Sequence, residues 1–510
     1  MASRTGLLER LRAGANAGNL AAVLSGGAAA IVYIRTLLPG VSFGDWAEAE
    51  MIPSRLGILH PTGYPLYILV NKAFTLIPVG SVAYRANLLS AAAAAAAVGV
   101  AVLIMVRLGV RPVIAAGAGL ALAFTGTVWQ EATFSEMNGL HLLIVALLLH
   151  RALVWRADRR PRDLLIGALL AGLCVSNHGL AITVVPLVAL FVLADARQEL
   201  LASPGLLVKA GAAFGLGLLP YLYLPLRALA GPPEVYGGFL TWNGFFSHVS
   251  GAQFRSDMHF LSAESVGAAW AALPKVVDHL VTTSNVVFVA AGLVGLGVLV
   301  WRDRWFGSLL VVLGVVNVYF YANYLGDLSH YLLLTWLILA FGLGLTAEII
   351  VAGLVARLGQ RAAIAAYAIL VLPVALAAGN WVSHDESANH DGERFAAQVF
   401  DALPPNAVLV TYWDALTPLS YKHCVEGVRP DVVLQAYDAA ALVTCDRPQL
   451  PLTEVAKVRP VYGLMMFPDS LQRTTGLTPV AEGEIKLPYG KRYPEFDRPL
   501  YRLEPADGTP

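Results

Sequence analysis

The chain runs to 510 residues, of which 57% are hydrophobic and only 14% charged. Soluble domains carry about a quarter charged residues, so the composition excludes an ordinary soluble enzyme and points to a polytopic α-helical membrane protein. A formal net charge of zero argues against a nucleic-acid partner, and none is expected.

Apolar stretches of spanning length recur at approximately 18–38, 86–106, 113–128, 138–155, 164–179, 180–195, 206–224, 281–301, 305–321, 331–352 and 361–380. They predict about eleven transmembrane helices. The basic start (Arg4, Arg10, Arg12) and the first apolar run have the outline of a signal peptide. An acidic segment follows immediately, and the run is read as an uncleaved first span. The segment LYILVNKAFTLIPVG (66–80) holds Asn71 and Lys72 and stops at Pro78, which suits an interfacial or re-entrant helix better than a crossing.

Arginine sets the orientation. One set of turns holds Arg107, Arg111, the run RALVWRADRRPRD, Arg197, WRDRW and ARLGQR. The opposite turns, WQEATFSEMNG, SNHG and YANYLGDLSH, contain no lysine or arginine. The positive-inside rule then predicts a cytoplasmic N-terminus. An odd number of spans places everything after Asn380 on the far side. The expected division is a membrane domain over 1–380, with 39–85 as its first extracytoplasmic loop, and an extracytoplasmic α/β domain over 381–510. In that second part, HDESANHDGERFAAQVFDALPP and DALTPLSYKHCVEG read as helices, and AVLVTYW, RPDVVLQAY and RPVYGLMMFP as strands. The polar tail beyond is expected to be irregular. Cys424 and Cys445 both fall here; spacing alone leaves a disulfide and two free thiols equally open. Cys174 reads as a small buried hydrophobe.

The first loop carries the densest chemistry. SFGDWAEAE sets Asp45 and Glu48 three residues apart, on one face of a short helix, with Glu50 close behind. Ser42 to Asp45 also fits a capping box, so Asp45 as a mere helix cap is an even alternative. An acid beside a membrane span costs about 2.5–3.5 kcal/mol if it enters hydrocarbon, which favours a polar cavity with a task. LHPTGYPLY then pins His60 and Tyr64 between Pro61 and Pro65 around Gly63, either as a presenting loop or as a plain tight turn. Arg85 opens the second span on the same side, as a phosphate ligand or a snorkelling anchor. Asn177, His178 and Asp327 sit at other far-side turns, as do Glu131 and Glu136. No P-loop, HExxH or GxSxG occurs in a suitable context, which leaves ATP-driven transport, zincin chemistry and serine hydrolysis unsupported.

The run SFGDWAEAEMIPSRLGILHPTGYPLYILVNKAF with SVAYRANLLSA resembles the signature of the transmembrane protein O-mannosyltransferases, a family first defined as a domain of unknown function. LPPNAVLVTYWDALTPLSYKHCVEGVRPDVVL resembles the family's extramembrane portion. The resemblance implies a GT-C-type bundle whose site opens on the extracytoplasmic side, beneath the first large loop. It implies inverting transfer of a sugar, mannose being expected, from a polyprenyl-phosphate donor to an acceptor hydroxyl on protein or glycan. Asp45 is then the expected general base, with Glu48 assisting it or holding a metal if one is used. His60 and Arg85 are expected at the donor phosphate; Tyr64, Asn177, His178 and Asp327 are expected at the substrate. The sequence itself requires no metal, and the C-terminal domain is expected to present the acceptor. Membrane lipids surround the spans, in a bacterial inner membrane to judge from the alanine- and arginine-rich composition. A glycolipid flippase and a non-catalytic scaffold remain the competing classes; a flippase would place acids midway through spans and show internal repeats.

Overall fold

The structure is a computed structural model that describes residues 4–231, 235–236, 241–257, 263–324, 329–437, 441–442, 444–445, 450–486 and 498–505. The chain begins with α1 (Arg4–Arg35), the short loop helices α2 (Gly44–Arg55) and α3 (Pro65–Thr75), and the alanine-rich α4 (Val82–Arg107). Next come α5 (Pro112–Ala123), α6 (Gly126–Thr133), α7 (Met137–Asp158), α8 (Pro161–Asn177) and α9 (Ala181–Asp195). The short α10 (Arg197–Leu201) leads to α11 (Pro204–Gly217), α12 (Tyr223–Ala230), the two-residue strand β1 (Val235–Tyr236) and α13 (Trp242–Val249). The bundle closes with α14 (Ala263–Thr283), α15 (Val286–Arg302), α16 (Arg304–Ala322), α17 (Leu333–Leu358) and α18 (Val371–His384).

All eleven apolar stretches fall on helical segments. Among the described residues, six helices are long and apolar enough to cross a membrane, and three bent pairs bring the number to nine. Segments α8 and α9, at 17 and 15 residues, are shorter than that test requires. Helix α3 has 11 residues, about 16 Å at 1.5 Å per residue, too short to cross the hydrocarbon core. Opposite the first loop, arginines pair with acids between helix ends: Arg111 with Glu348 at 2.5 Å, Arg151 with Asp163 at 3.1 Å, and Arg159 with Asp195 at 2.7 Å.

Small residues let these helices touch. A β-carbon added at Gly295 of α15 would fall 1.9 Å from the carbonyl oxygen of Gly342 on α17, so the two backbones meet there. Gly295→Val is expected to cost about 1–3 kcal/mol or more through overpacking, read as a lowered midpoint of thermal unfolding in detergent. An unchanged midpoint would mean that the crossing is looser than this.

The chain beyond α18 forms an α/β layer against the first loop. Helix α19 (Asp391–Ala402) precedes β2 (Val408–Thr411), α20 (Trp413–Cys424), β3 (Val433–Ala436), β4 (Ala441–Leu442), α21 (Leu452–Val455), β5 (Val461–Leu464), α22 (Pro468–Thr475), β6 (Leu477–Ile485) and β7 (Arg498–Pro505). The five-stranded sheet runs β3-β2-β5-β7-β6, with β2 parallel to both β3 and β5 and the last two pairings antiparallel. Over its described residues the tail is therefore not irregular. Leu477, Ile485, Leu500 and Leu503 are buried, Leu477 and Leu503 in one apolar cluster and Ile485 and Leu500 in the main core, so β6 and β7 are anchored on both faces, a pattern that scattered prolines and a register shift between Ala481 and Gly483 obscure in the sequence. β1, which follows α12, pairs antiparallel with β4.

Cys424 and Cys445 are disulfide-bonded, with Cα atoms 5.7 Å apart, and Cys174 is free and buried as expected. The layer is fused to the bundle rather than tethered to it. Phe395 of α19 meets Phe43 edge-on at 5.5 Å between centroids. Gly392 lies so close to the Val41 backbone that a β-carbon would fall 2.2 Å from its carbonyl oxygen.

Candidate active site

The three acids of the first loop have three different fates. Phe43 is the N-cap of α2 and no side chain caps the helix, so Asp45 is not a capping residue. It stands in the first turn, 52% exposed, where the helix dipole favours a negative charge. Glu48, one turn on, is fully buried, and so is Glu50. Glu50 turns inward, accepting the backbone N–H of Ser42 at 2.8 Å.

Glu48 is spent on His60. One carboxylate oxygen accepts the His60 backbone N–H at 2.9 Å, and the other faces His60 Nδ1 at 2.5 Å. The turn that delivers His60 closes through the Gly63 N–H to the His60 carbonyl at 2.8 Å. Gly63 has φ +86°, and a β-carbon there would meet Leu224 at 3.0 Å, so glycine is required. Beneath the turn His248 is 3.1 Å from the carbonyl of Leu59; burial pushes its imidazole down to about 3, so it serves as a neutral donor.

The far nitrogen of His60 lies 3.3 Å from the Tyr64 hydroxyl and 4.0 Å from Asp45 Oδ2. Both ring nitrogens thus face acceptors, the pattern of an imidazolium. Burial pulls His60 down, but the charges of Glu48 and Asp45 outweigh it and raise the group to about 10. Burial likewise raises Glu48, against the opposing pull of His60. The result is an exposed carboxylate next to a buried cation.

These groups open on a cavity of about 590 Å³. One wall is Asp45, His60, Thr62 and Tyr64; a second is Glu136, Asn138 and His178; a third is His330 and Tyr331. The roof comes from the C-terminal layer, through Thr411, Tyr412, Trp413 and Tyr437. Thr411 ends β2 and Tyr412 follows it, while Tyr437 follows the carboxyl end of β3, the edge at which α/β sheets receive ligands. Glu136 is raised well above the carboxylate range, by burial first and then by neighbouring Glu131.

Of the residues expected from sequence, Asp45, His60, Tyr64 and His178 meet in this cavity. Glu48 does not reach it and acts on it only through His60. Arg85 is elsewhere: its guanidinium donates to the carbonyls of Thr75, Ile77 and Ser81, because the α3–α4 turn wraps around it. Asn177 is buried behind the wall, donating to the Met137 carbonyl at 3.1 Å. Asp327 lies outside the described residues.

Sequence reasoning passed over Glu136, His330 and Tyr331 as site residues, although the absence of lysine and arginine in their turns marked them. It also passed over Trp413, whose indole N–H donates to Asp45 Oδ1 at 2.6 Å across 368 positions of chain. Asp45, Glu48 and His60 bring ligand atoms within 4.8 Å of one another, a spacing that a divalent cation could bridge. A cation there would have to displace the proton held between Glu48 and His60.

Residues 45–201 match the model of the protein O-mannosyl-transferase TMEM260 N-terminal domain. The chain is 26% identical to the mouse protein O-mannosyl-transferase TMEM260 over 448 residues, which is 83% of this chain and 63% of that protein. It is 22% identical to the Dictyostelium discoideum protein O-mannosyl-transferase tmem260, over 79% of this chain and 55% of that one. The chain thus spans less than two thirds of the length of these relatives. Its fold superposes on ArnT from Cupriavidus metallidurans bound to undecaprenyl phosphate, with a TM-score of 0.60 at 15% identity, over 94% of this chain and 97% of that one. The apo form of ArnT gives 0.61 at 14% identity, over the same shares. Residues 45–201 are thus similar to a TMEM260 N-terminal domain, and they sit in a helical membrane bundle whose fold is the GT-C fold of ArnT.

Proposed function

We propose that this protein is a membrane glycosyltransferase. It moves a sugar, mannose to judge from the names of its relatives, from a polyprenyl phosphate to an acceptor hydroxyl of protein serine or threonine, with inversion. The observation that carries this reading is the exposed carboxylate of Asp45 beside the His60–Glu48 ion pair, at the mouth of a 590 Å³ cavity. The undecaprenyl phosphate held by ArnT supports a polyprenyl-phosphate donor.

In the proposed step the acceptor oxygen attacks the anomeric carbon while Asp45 takes its proton. The bond from that carbon to the phosphate oxygen breaks, and the electron pair leaves with the polyprenyl phosphate. The imidazolium of His60 is the cation nearest the developing charge, and such preorganised charge lowers a barrier most in a water-poor site. Tyr64 and His178 border the sugar, with Asn177 supporting that wall from behind. The residues after Asn380 form the extracytoplasmic roof that presents the acceptor, and the bundle before them is the membrane domain. A cytoplasmic N-terminus in a bacterial inner membrane fits the arginine-rich ends opposite the cavity, and the Cys424–Cys445 bond suits an oxidising compartment.

The test is direct. Purified protein given labelled polyprenyl-phosphate mannose and a serine/threonine peptide should release one polyprenyl phosphate for each mannose joined to the peptide. Movement of intact glycolipid across vesicles without transfer would identify a flippase instead and end this reading.

A further inference from the structure

Helix α20 lies beside α2, in the same direction and in register at both ends. At the leading ends Trp413 bonds Asp45, and a β-carbon on Gly44 would stand 3.4 Å from Asp414 Oδ1. At the trailing ends the Arg55 guanidinium donates to the Cys424 carbonyl at 2.9 Å. Two further ties fix α20 in place: the disulfide at Cys424, and the Tyr421 hydroxyl, which accepts the Ala83 backbone N–H at 2.9 Å.

We propose that Trp413 is a positioning residue for the reaction: its indole N–H holds Oδ1 of Asp45 so that Oδ2 stays turned toward His60 and the cavity. This rests on Asp45 being the base. A half-exposed aspartate on the first turn of a helix has two side-chain torsions to settle, and water alone does not choose between their wells. A misplacement of about 1 Å in such a group costs about 10² in rate. Indole suits the task because it donates one hydrogen bond and accepts none, so it cannot take the proton meant for the carboxylate. His60 stands 6.4 Å from the Trp413 ring and perpendicular to it, which closes the other side of the carboxylate. The C-terminal layer thus reaches into the catalytic centre itself as well as roofing it.

Trp413→Phe keeps an aromatic plate against α2 and removes only the donor. In the mannose-transfer assay kcat should fall about tenfold, with KM for the donor within about twofold and the thermal midpoint unchanged. The same substitution in an Asp45→Asn background should change the residual rate by less than about twofold, because no base is left to orient. Equal proportional losses in both backgrounds would assign Trp413 to packing alone and overturn the proposal. An unchanged kcat in the parental background would overturn it too. Parental activity in Asp45→Asn by itself would instead overturn the base assignment beneath it.

Discussion

Asp45→Asn should lower sugar transfer by about 10²–10⁴, the usual worth of a positioned general base, while donor binding changes little. The substitution is nearly isosteric, and the amide oxygen can still accept from the Trp413 indole 2.6 Å away, so α20 should keep its place on α2. What disappears is the capacity to accept the acceptor's proton. Because the side chain is 52% exposed and only part of it is held, the fold depends little on its charge, and the thermal midpoint should hold. The measurement is single-turnover transfer of labelled sugar at saturating donor, compared at equal folded protein. Transfer at the parental rate would remove Asp45 from the chemistry and leave the cavity without a base at its mouth.

The acidic loop was legible in the sequence because its contacts are local. Asp45 and Glu48 share a helix face by their spacing, and the proline-flanked turn returns His60 to within reach of both. The division of labour between the two acids was not legible. Which of two carboxylates on one face is buried depends on what packs over them, and here that is the loop carrying His60 and the end of α20. Arg85 failed for a related reason. An arginine near a far-side interface suggests a phosphate ligand, but here the guanidinium folds back onto the carbonyls of Thr75, Ile77 and Ser81 around the α3–α4 turn. Trp413 comes from a chain segment that hydropathy separates from the membrane part, and only the packing of α20 on α2 brings it to the site. The apolar stretches fall on helices as their length and apolarity suggest, but among the described residues they make six to nine candidate spans rather than eleven. Their bends, such as the 68° break between α5 and α6 inside the stretch 113–128, were not legible, because the residues on both sides of the break are helical and apolar enough to pass as straight.

Glu48→Gln separates the cation from the base. In the parent, His60 is raised to about 10 although burial alone would lower it, so its proton comes from Glu48 first and Asp45 second. A folded value above the usual 6.5 means that the charged form, and the stability it brings, is complete below that usual value. It is lost as the pH rises toward about 10. Transfer that uses the imidazolium should therefore persist through neutral pH and fall only on the alkaline side. Glutamine fills the same buried space: its carbonyl can still accept the His60 backbone N–H, and its amide can donate to Nδ1 of a neutral ring. The pocket then keeps its shape but loses its nearest countercharge, and burial is opposed mainly by Asp45. The alkaline limb of the kcat profile should move down by ~2 pH units or more, with activity at pH 9 reduced about tenfold or more. Acidification should recover part of that loss, which a disordered loop could not do. A limb that stays where it was would show that His60 takes its charge from elsewhere, or that the reaction does not use it.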